Sequence, residues 1–326
     1  MIKVEQVYKT YINKHRNFLF FSETRQTEAV CGVDLYVNPG EIVGLLGMNG
    51  AGKTTLIKMM STLLSPTSGT ITIDGMDVVK DALKVKSIVN MIAGGERMLY
   101  FRLTGRQNLE YFGNLYGLRG SLLKDRINYL LSKVGLEKAA DTPVERYSKG
   151  MKQRLQIARG LINDPKYLFL DEPTLGLDVS VAKRLREFVQ ELVHREGKGI
   201  VLTSHYLEEI EELCDRVYIA NNGRIIMHDT PKNLVFNITH GNVLNIVVPE
   251  INDKLNNNLR TLIELHNANI EISSNEEGIL ISIKSKKDIT TEVVQTIYNS
   301  NVNLISLYIE KPKLEDAILQ LENGVA

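Results

Sequence analysis

The stretch Glu41-Ile-Val-Gly-Leu-Leu-Gly-Met-Asn-Gly-Ala-Gly-Lys-Thr-Thr55 decides the reading of this chain. Its first six residues form a short apolar run of the kind buried in a parallel sheet. A glycine-rich turn follows, and Lys53-Thr-Thr opens a helix. Glycines let the backbone wrap a phosphate chain with its N–H groups turned inward, and the helix N-terminus adds a favourable field. Asn49, Gly50, Gly52, Lys53, Thr54 and Thr55 are therefore the candidate phosphate-binding residues. Lys53 reaches the outer phosphates, and the Thr54 hydroxyl is placed to ligate Mg²⁺. Bound MgATP is the expected ligand.

Two further apolar runs, residues 167–170 and 199–203, read as strands of the same sheet. The first ends in Asp171-Glu172. After a phosphate loop, Asp171 fits the carboxylate that supports Mg²⁺, and Glu172 can accept a proton from the attacking water. The second run ends in Ser204-His205. His205, just beyond a buried strand, can polarise that water or contact the γ-phosphate. Strands alternating with helical segments give the α/β class. Between about residues 97 and 165 the pattern turns mostly helical. Thr104 and Gln107 form a capping box, Leu109, Phe112, Leu115 and Tyr116 one apolar helix face, and Ile127, Leu130, Leu131 and Val134 a second.

Tyr147-Ser-Lys-Gly-Met-Lys-Gln-Arg154 precedes the acidic pair by about two dozen residues. Here the chain resembles the ATP-binding cassette (ABC) ATPase family over roughly residues 1–230, a P-loop cassette with a helical subdomain. The family signature, usually LSGGQ, reads YSKGM in this chain, with Lys149 and Met151 at the altered positions. The resemblance assigns Ser148 and Gly150 to γ-phosphate contact across a two-fold dimer, formed with a second copy or a paralogous subunit. It likewise assigns Asp178, in Leu175-Gly-Leu-Asp178, to that interface, and Tyr11 to stacking on adenine. One departure concerns the glutamine that the family places on Mg²⁺. Its position is Gly95, in Ala93-Gly-Gly-Glu-Arg97, which leaves a water or Glu96 to fill the place.

Residues 96–109 and 313–321 are similar to segments of drug, lantibiotic, sodium and polysaccharide export ATPases. The resemblance thus implies an ATP-hydrolysing subunit that drives a separate transmembrane permease from the cytoplasmic face of the membrane. A soluble ABC ATPase acting on ribosomes or DNA is the alternative. Against it stand the single phosphate loop and signature, the absence of sustained heptads, and a formal net charge of zero, which advertises no nucleic-acid partner. No run approaches the ~20 apolar residues of a membrane helix, and the N-terminus does not read as a secretory signal. Cys31 and Cys214 lie far apart, in no metal-ligand spacing, which fits a reducing compartment.

Past residue 230 the texture changes and asparagines become dense. Residues 242–310 read β-α-β-β-α-β, the order of a ferredoxin-like module, so a small α+β domain is expected over residues 231–326. A last amphipathic helix carries Leu314, Ala317, Ile318 and Leu321. An insertion at residues 12–28, with Phe18-Leu-Phe-Phe21, admits two readings: a segment at the membrane interface, or aromatics folded back on the sheet edge.

Overall fold

The computed structural model of the chain describes residues 1–16, 22–93, 99–204, 206–239, 242–275 and 277–322. It divides into two compact units, Met1–Asp229 and Thr230–Ala326. In the first, chain order is β1 (Ile2–Arg16), β2 (Ser22–Val37), β3 (Ile42–Leu46), α1 (Lys53–Met60), β4 (Ser68–Ile73), β5 (Met76–Asp77), α2 (Ala82–Ile88) and β6 (Val89–Ala93). There follow α3 (Gly105–Leu115), α4 (Gly120–Lys133), α5 (Lys149–Gly160), β7 (Tyr167–Asp171), α6 (Val179–His194), β8 (Gly199–Thr203), α7 (Leu207–Leu213), β9 (Arg216–Asn221) and β10 (Arg224–Asp229).

Two sheets carry this unit. The larger has the order β10-β9-β3-β8-β7-β6, parallel except for the β9–β10 hairpin, and the smaller is antiparallel with the order β2-β1-β4-β5. The runs at β3, β7 and β8 are aliphatic because parallel strands are covered on both faces. One core joins the sheets through α1. Leu56, Ile57, Met59 and Met60 of that helix pack with Val43, Leu45 and Phe169 of the large sheet and with Ile2, Val4, Leu35 and Ile71 of the small one. At about 1.5–3 kcal/mol per buried side chain, those four residues fix α1 firmly between the sheets.

Residues 12–28 are neither a loop nor a closed turn in their described part. β1 and β2 run on as a hairpin, with Ile12 opposite Gln26 and Arg16 opposite Ser22. Phe18 to Phe21 lie outside the described residues.

Thr104 caps α3 as expected, accepting from Gln107 N–H while the Gln107 side chain accepts from Thr104 N–H. The expected apolar face of that helix needs correction. Leu109 is fully buried, but Leu115 is 66% and Tyr116 39% exposed. The buried side is Gly105, Asn108, Leu109 and Gly113, rotated from the apolar stripe. Small residues win there because α4 comes close: a methyl at Gly113 would stand 2.3 Å from Leu123 Cδ1. Asn108 is buried because its amide donates to the carbonyls of Tyr100 (3.0 Å) and Thr104 (2.9 Å) and its oxygen accepts from Tyr100 N–H (2.8 Å). In α4 and its C-cap, Ile127, Leu130, Leu131 and Val134 are buried, as their spacing predicts.

The second unit contains α8 (Pro231–Thr239), β11 (Asn242–Val248), α9 (Asp253–His266), β12 (Asn269–Asn275), β13 (Gly278–Ser285), α10 (Thr290–Asn299), β14 (Ser306–Glu310) and α11 (Leu314–Glu322). Its sheet is wholly antiparallel in the order β12-β13-β11-β14, the ferredoxin-like arrangement. Leu255, Leu259 and Leu262 of α9 and Val293 and Ile297 of α10 cover one sheet face, packing on Leu244, Ile246, Ile281 and Ile283.

The N-terminal end of β3 is pinned to β9 by an ion pair. Arg216 Nε donates to Glu41 Oε1, and Arg216 Nη2 donates to the Tyr36 carbonyl at 3.0 Å. Asn38 N–H and Nδ2 donate to Glu41 Oε2 at 2.9 and 3.0 Å. Burial alone would raise the Glu41 pKa, but the bonds from Arg216 and Asn38 outweigh it and hold the carboxyl below its ordinary range. A depressed carboxylate pKa contributes stability that is present above the unfolded value and lost as pH falls through the folded one. Glu41→Leu strands Arg216 and should lower the unfolding free energy by about 3 kcal/mol at pH 7. The gap between variant and wild type should shrink as pH drops below about 4. Urea titrations at several pH values check this, and a gap independent of pH would refute the assignment.

Candidate active site

Parallel pairing brings three strand ends to one edge. β3 pairs with β8 through Gly44 and Leu202, and β8 pairs with β7 through Thr203 and Asp171. The loop that leaves β3, the acidic pair that leaves β7 and Ser204 that leaves β8 therefore lie side by side. The carboxyl ends of strands in an open α/β sheet are where such folds bind ligands.

The glycine loop is clasped between the two sheets. Gly47 has φ 144°, and a Cβ there would meet the Ala220 carbonyl of β9 at 2.1 Å. Gly52 has φ 92°, and its Cβ would meet the Ala29 carbonyl of β2 at 2.2 Å. Only glycine fits either place, so these two residues set the path of the loop. Met48, Asn49 and Gly50 are exposed at its crest. Lys53 Nζ donates to the Gly47 and Met48 carbonyls at 2.5 and 3.0 Å, so the ammonium lies along the inside of the loop. Burial lowers the Lys53 pKa, while the carboxylates of Glu172 and Asp171 pull it back up. That coupling places the acidic pair and the lysine in one electrostatic field. Thr54 is exposed in the first turn of α1, and Thr55 is half-buried beside it. Tyr11, 37% exposed on β1, holds its hydroxyl 3.5 Å from Thr55 Oγ1, and Lys9 Nζ lies 5.6 Å from its ring centre.

A buried threonine organises the acidic pair. Thr203 Oγ1 donates to Asp171 Oδ1 at 2.7 Å and accepts from Glu172 N–H at 3.1 Å. The same N–H reaches the Thr203 carbonyl at 3.1 Å. Glu172 is thereby held at φ 53°, a left-handed conformation that costs a non-glycine residue about 1–2 kcal/mol. The strand turns sharply at that residue. Thr203 was not among the residues singled out from sequence. Its signal is a threonine ending the otherwise aliphatic strand Gly-Ile-Val-Leu-Thr203.

The other motif residues gather beside β7. Ser148 caps α5, its hydroxyl accepting from Met151 N–H at 3.2 Å. The first turns of α5 contact the segment that follows Glu172. Gln153 Nε2 donates to the Pro173 carbonyl at 2.6 Å, Gly150 faces Val181, and the Lys149 ammonium lies against Gly176. Asp178 is exposed at the N-cap of α6. Gln153 too was missed from sequence, although a glutamine on the buried side of a helix is a signal in itself. His205, Gly95 and Glu96 lie outside the described residues.

The donor chemistry suits a hard cation. Among the described residues no group of three or more His, Cys, Asp or Glu side chains could hold a metal. The edge instead offers oxygen atoms, the Thr54 hydroxyl and the Asp171 carboxylate. Mg²⁺ is bound in this manner, through one or two protein oxygens plus water and substrate phosphates.

Comparison with known proteins bears on the same residues. The ABC transporter family profile matches residues 30–175, from the middle of β2 to just past Glu172. The ABC transporter ATP-binding protein NatA of Bacillus subtilis (strain 168) is 43% identical over 215 residues, 66% of this chain and 87% of that one. The chain belongs to the ABC transporter ATP-binding proteins. The cassette is thus an ATPase, and its helical segment and P-loop are those of that family. The linearmycin resistance ATP-binding protein LnrL of the same bacterium is 34% identical over 90% of this chain and 93% of its own length, so the likeness runs on into the second unit. A solved dimeric bacterial ABC transporter cassette superposes with TM-score 0.61 at 25% identity, over 71% of this chain and 98% of that one.

Thr203→Val keeps the shape of the side chain and removes both hydroxyl bonds. ATP turnover by this variant should fall about 10–100-fold with ATP affinity little changed, because the acidic pair is displaced while the P-loop is not. Thr203→Ser should turn over ATP near the wild-type rate. Steady-state hydrolysis paired with nucleotide titration checks both, and wild-type turnover by Thr203→Val would remove the role given to that hydroxyl.

Proposed function

We propose that this cassette hydrolyses ATP to energise a separate transmembrane permease, from the cytoplasmic face of the membrane and in the direction of export. The observation that carries the reading is the likeness to a resistance ATP-binding protein over 90% of the chain, the ferredoxin-like unit included. Resistance powered by an ATPase of a transporter family is most simply removal of the toxic compound. Among the described residues no helix is long and apolar enough to cross a membrane, and in this reading the permease supplies the path.

In the site, the N–H groups of Asn49, Gly50 and Gly52, with Lys53, Thr54 and Thr55, hold the phosphates of ATP. Tyr11 lies under the adenine. Thr54 and Asp171 would hold Mg²⁺, which would supply neutralising charge at the phosphates. Glu172, fixed by Thr203, takes the proton of the attacking water, and His205 contacts the γ-phosphate. Ser148, Gly150 and Asp178 serve the other subunit. Their motif contacts within the chain run to the segment after β7, and the start of α5 is a second helix N-terminus suited to anions. A second copy, related by a two-fold axis, would place each such terminus over the partner's phosphates. ATP then closes the pair, hydrolysis opens it, and the helical segment transmits the motion.

Tagging the protein in its native cell and solubilising the membranes gently tests this. A polytopic membrane protein should co-purify in comparable amount. Ribosomal or DNA-bound partners with no membrane protein would overturn the transport reading and leave the hydrolytic site as described.

A further inference from the structure

Glu209 is a carboxylate with no assigned role. It sits in the first turn of α7 and is only 3% exposed. Isolated carboxylates are rarely buried so completely without strong partners. The partners here are two hydroxyls on the same oxygen: Thr174 Oγ1 donates to Glu209 Oε2 at 3.0 Å, and Ser204 Oγ donates to it at 2.5 Å. Both donors are themselves buried. Burial raises the Glu209 pKa, and the two hydroxyl bonds act against that rise.

What matters is where the donors lie in the chain. Thr174 is two residues past Glu172, and its carbonyl accepts from Leu177 N–H at 3.0 Å, closing the turn that leads to Asp178. The residue between, Pro173, receives the amide of Gln153 from α5. Ser204 immediately precedes His205 in sequence, and its oxygen accepts from Tyr206 N–H at 3.0 Å. One carboxylate oxygen therefore ties the segment leaving the acidic pair to Ser204, at the end of β8. Thr203 joins the same two strand ends through its bonds to Asp171 and Glu172.

We infer that Glu209 is a positioning residue for ATP hydrolysis: it holds the Pro173–Thr174 segment and Ser204 in fixed relation, so that the groups next to them in sequence act as a unit on the γ-phosphate. The inference rests on the roles proposed above for Glu172 and His205. The tether needs an acceptor for two hydroxyls and does not need charge. An amide oxygen meets that need, whereas an aliphatic side chain of similar size does not.

Full-length Glu209→Leu should lose at least about tenfold in kcat for ATP with KM and nucleotide affinity within about twofold of wild type, since the P-loop is untouched. Glu209→Gln should restore kcat to within about threefold of wild type. Ser204→Ala and Thr174→Val, which delete one hydroxyl each, should each lower kcat, and adding either to Glu209→Leu should cost nothing further. If Glu209→Leu does not fold, the double variant Thr174→Val/Ser204→Ala supplies the same comparison against wild type. Loss in KM rather than kcat, full additivity of the single changes, or wild-type turnover without the hydroxyls would overturn the tether. Glu172→Gln measured alongside separates the two readings. Wild-type hydrolysis in that variant sinks the proposed base, whereas its inactivity beside a fully active Glu209→Leu sinks the tether alone.

Discussion

The hydrogen bond from Thr203 to Asp171 is the constraint on which the candidate site depends. It exists because β7 and β8 pair in parallel with Thr203 level with Asp171, and because that register is enforced by aliphatic residues buried on both faces of the sheet. A one-residue slip would turn the threonine to the opposite face and release Glu172 from its left-handed turn. The same buried strands set the height of the P-loop, since β3 pairs with β8 on the other side. Core packing and site geometry are thus one arrangement seen from two ends of the sheet.

The glycine loop depends on the rest of the unit in a complementary way. Ala220 belongs to the large sheet and Ala29 to the small one, and each presents a carbonyl to a glycine that has no Cβ to obstruct it. The antiparallel sheet therefore shapes the glycine loop, through β2, as well as carrying Tyr11. At the far end of β3, Glu41 and Arg216 pin the strand to β9, so the P-loop is anchored from below as well as beside.

Much of this was legible in the sequence because it is written in local patterns. The strands ending at Leu46, Asp171 and Thr203, the capping box at Thr104, and the β-α-β-β-α-β order of the second unit are all short-range signals. Long-range pairings were not. The small antiparallel sheet joins β1 to β4 across more than fifty residues, Ile2 lying opposite Ile73, and residues 12–16 and 22–26 look irregular until they are seen paired. The packed side of α3 does not follow hydrophobicity, which points to Leu115 and Tyr116: close approach of α4 selects Gly113, and the backbone of Tyr100 and Thr104 selects Asn108. Thr203, Gln153 and Glu209 escaped notice for a related reason: a buried polar residue matters through its partners, and each of the three has a partner at least twenty residues away.

Each copy of the chain offers two helix N-termini suited to phosphate, one opening α1 and one opening α5 with a serine cap. The first shares an electrostatic field with Asp171 and Glu172 of its own chain, and in the proposed function a second copy uses the other. The most direct measurement is the sedimentation of Glu172→Gln with and without MgATP. A monomer is expected without nucleotide and a stable species of twice the mass with it. A variant that binds MgATP with wild-type affinity yet remains monomeric at every protein concentration would contradict the two-copy site.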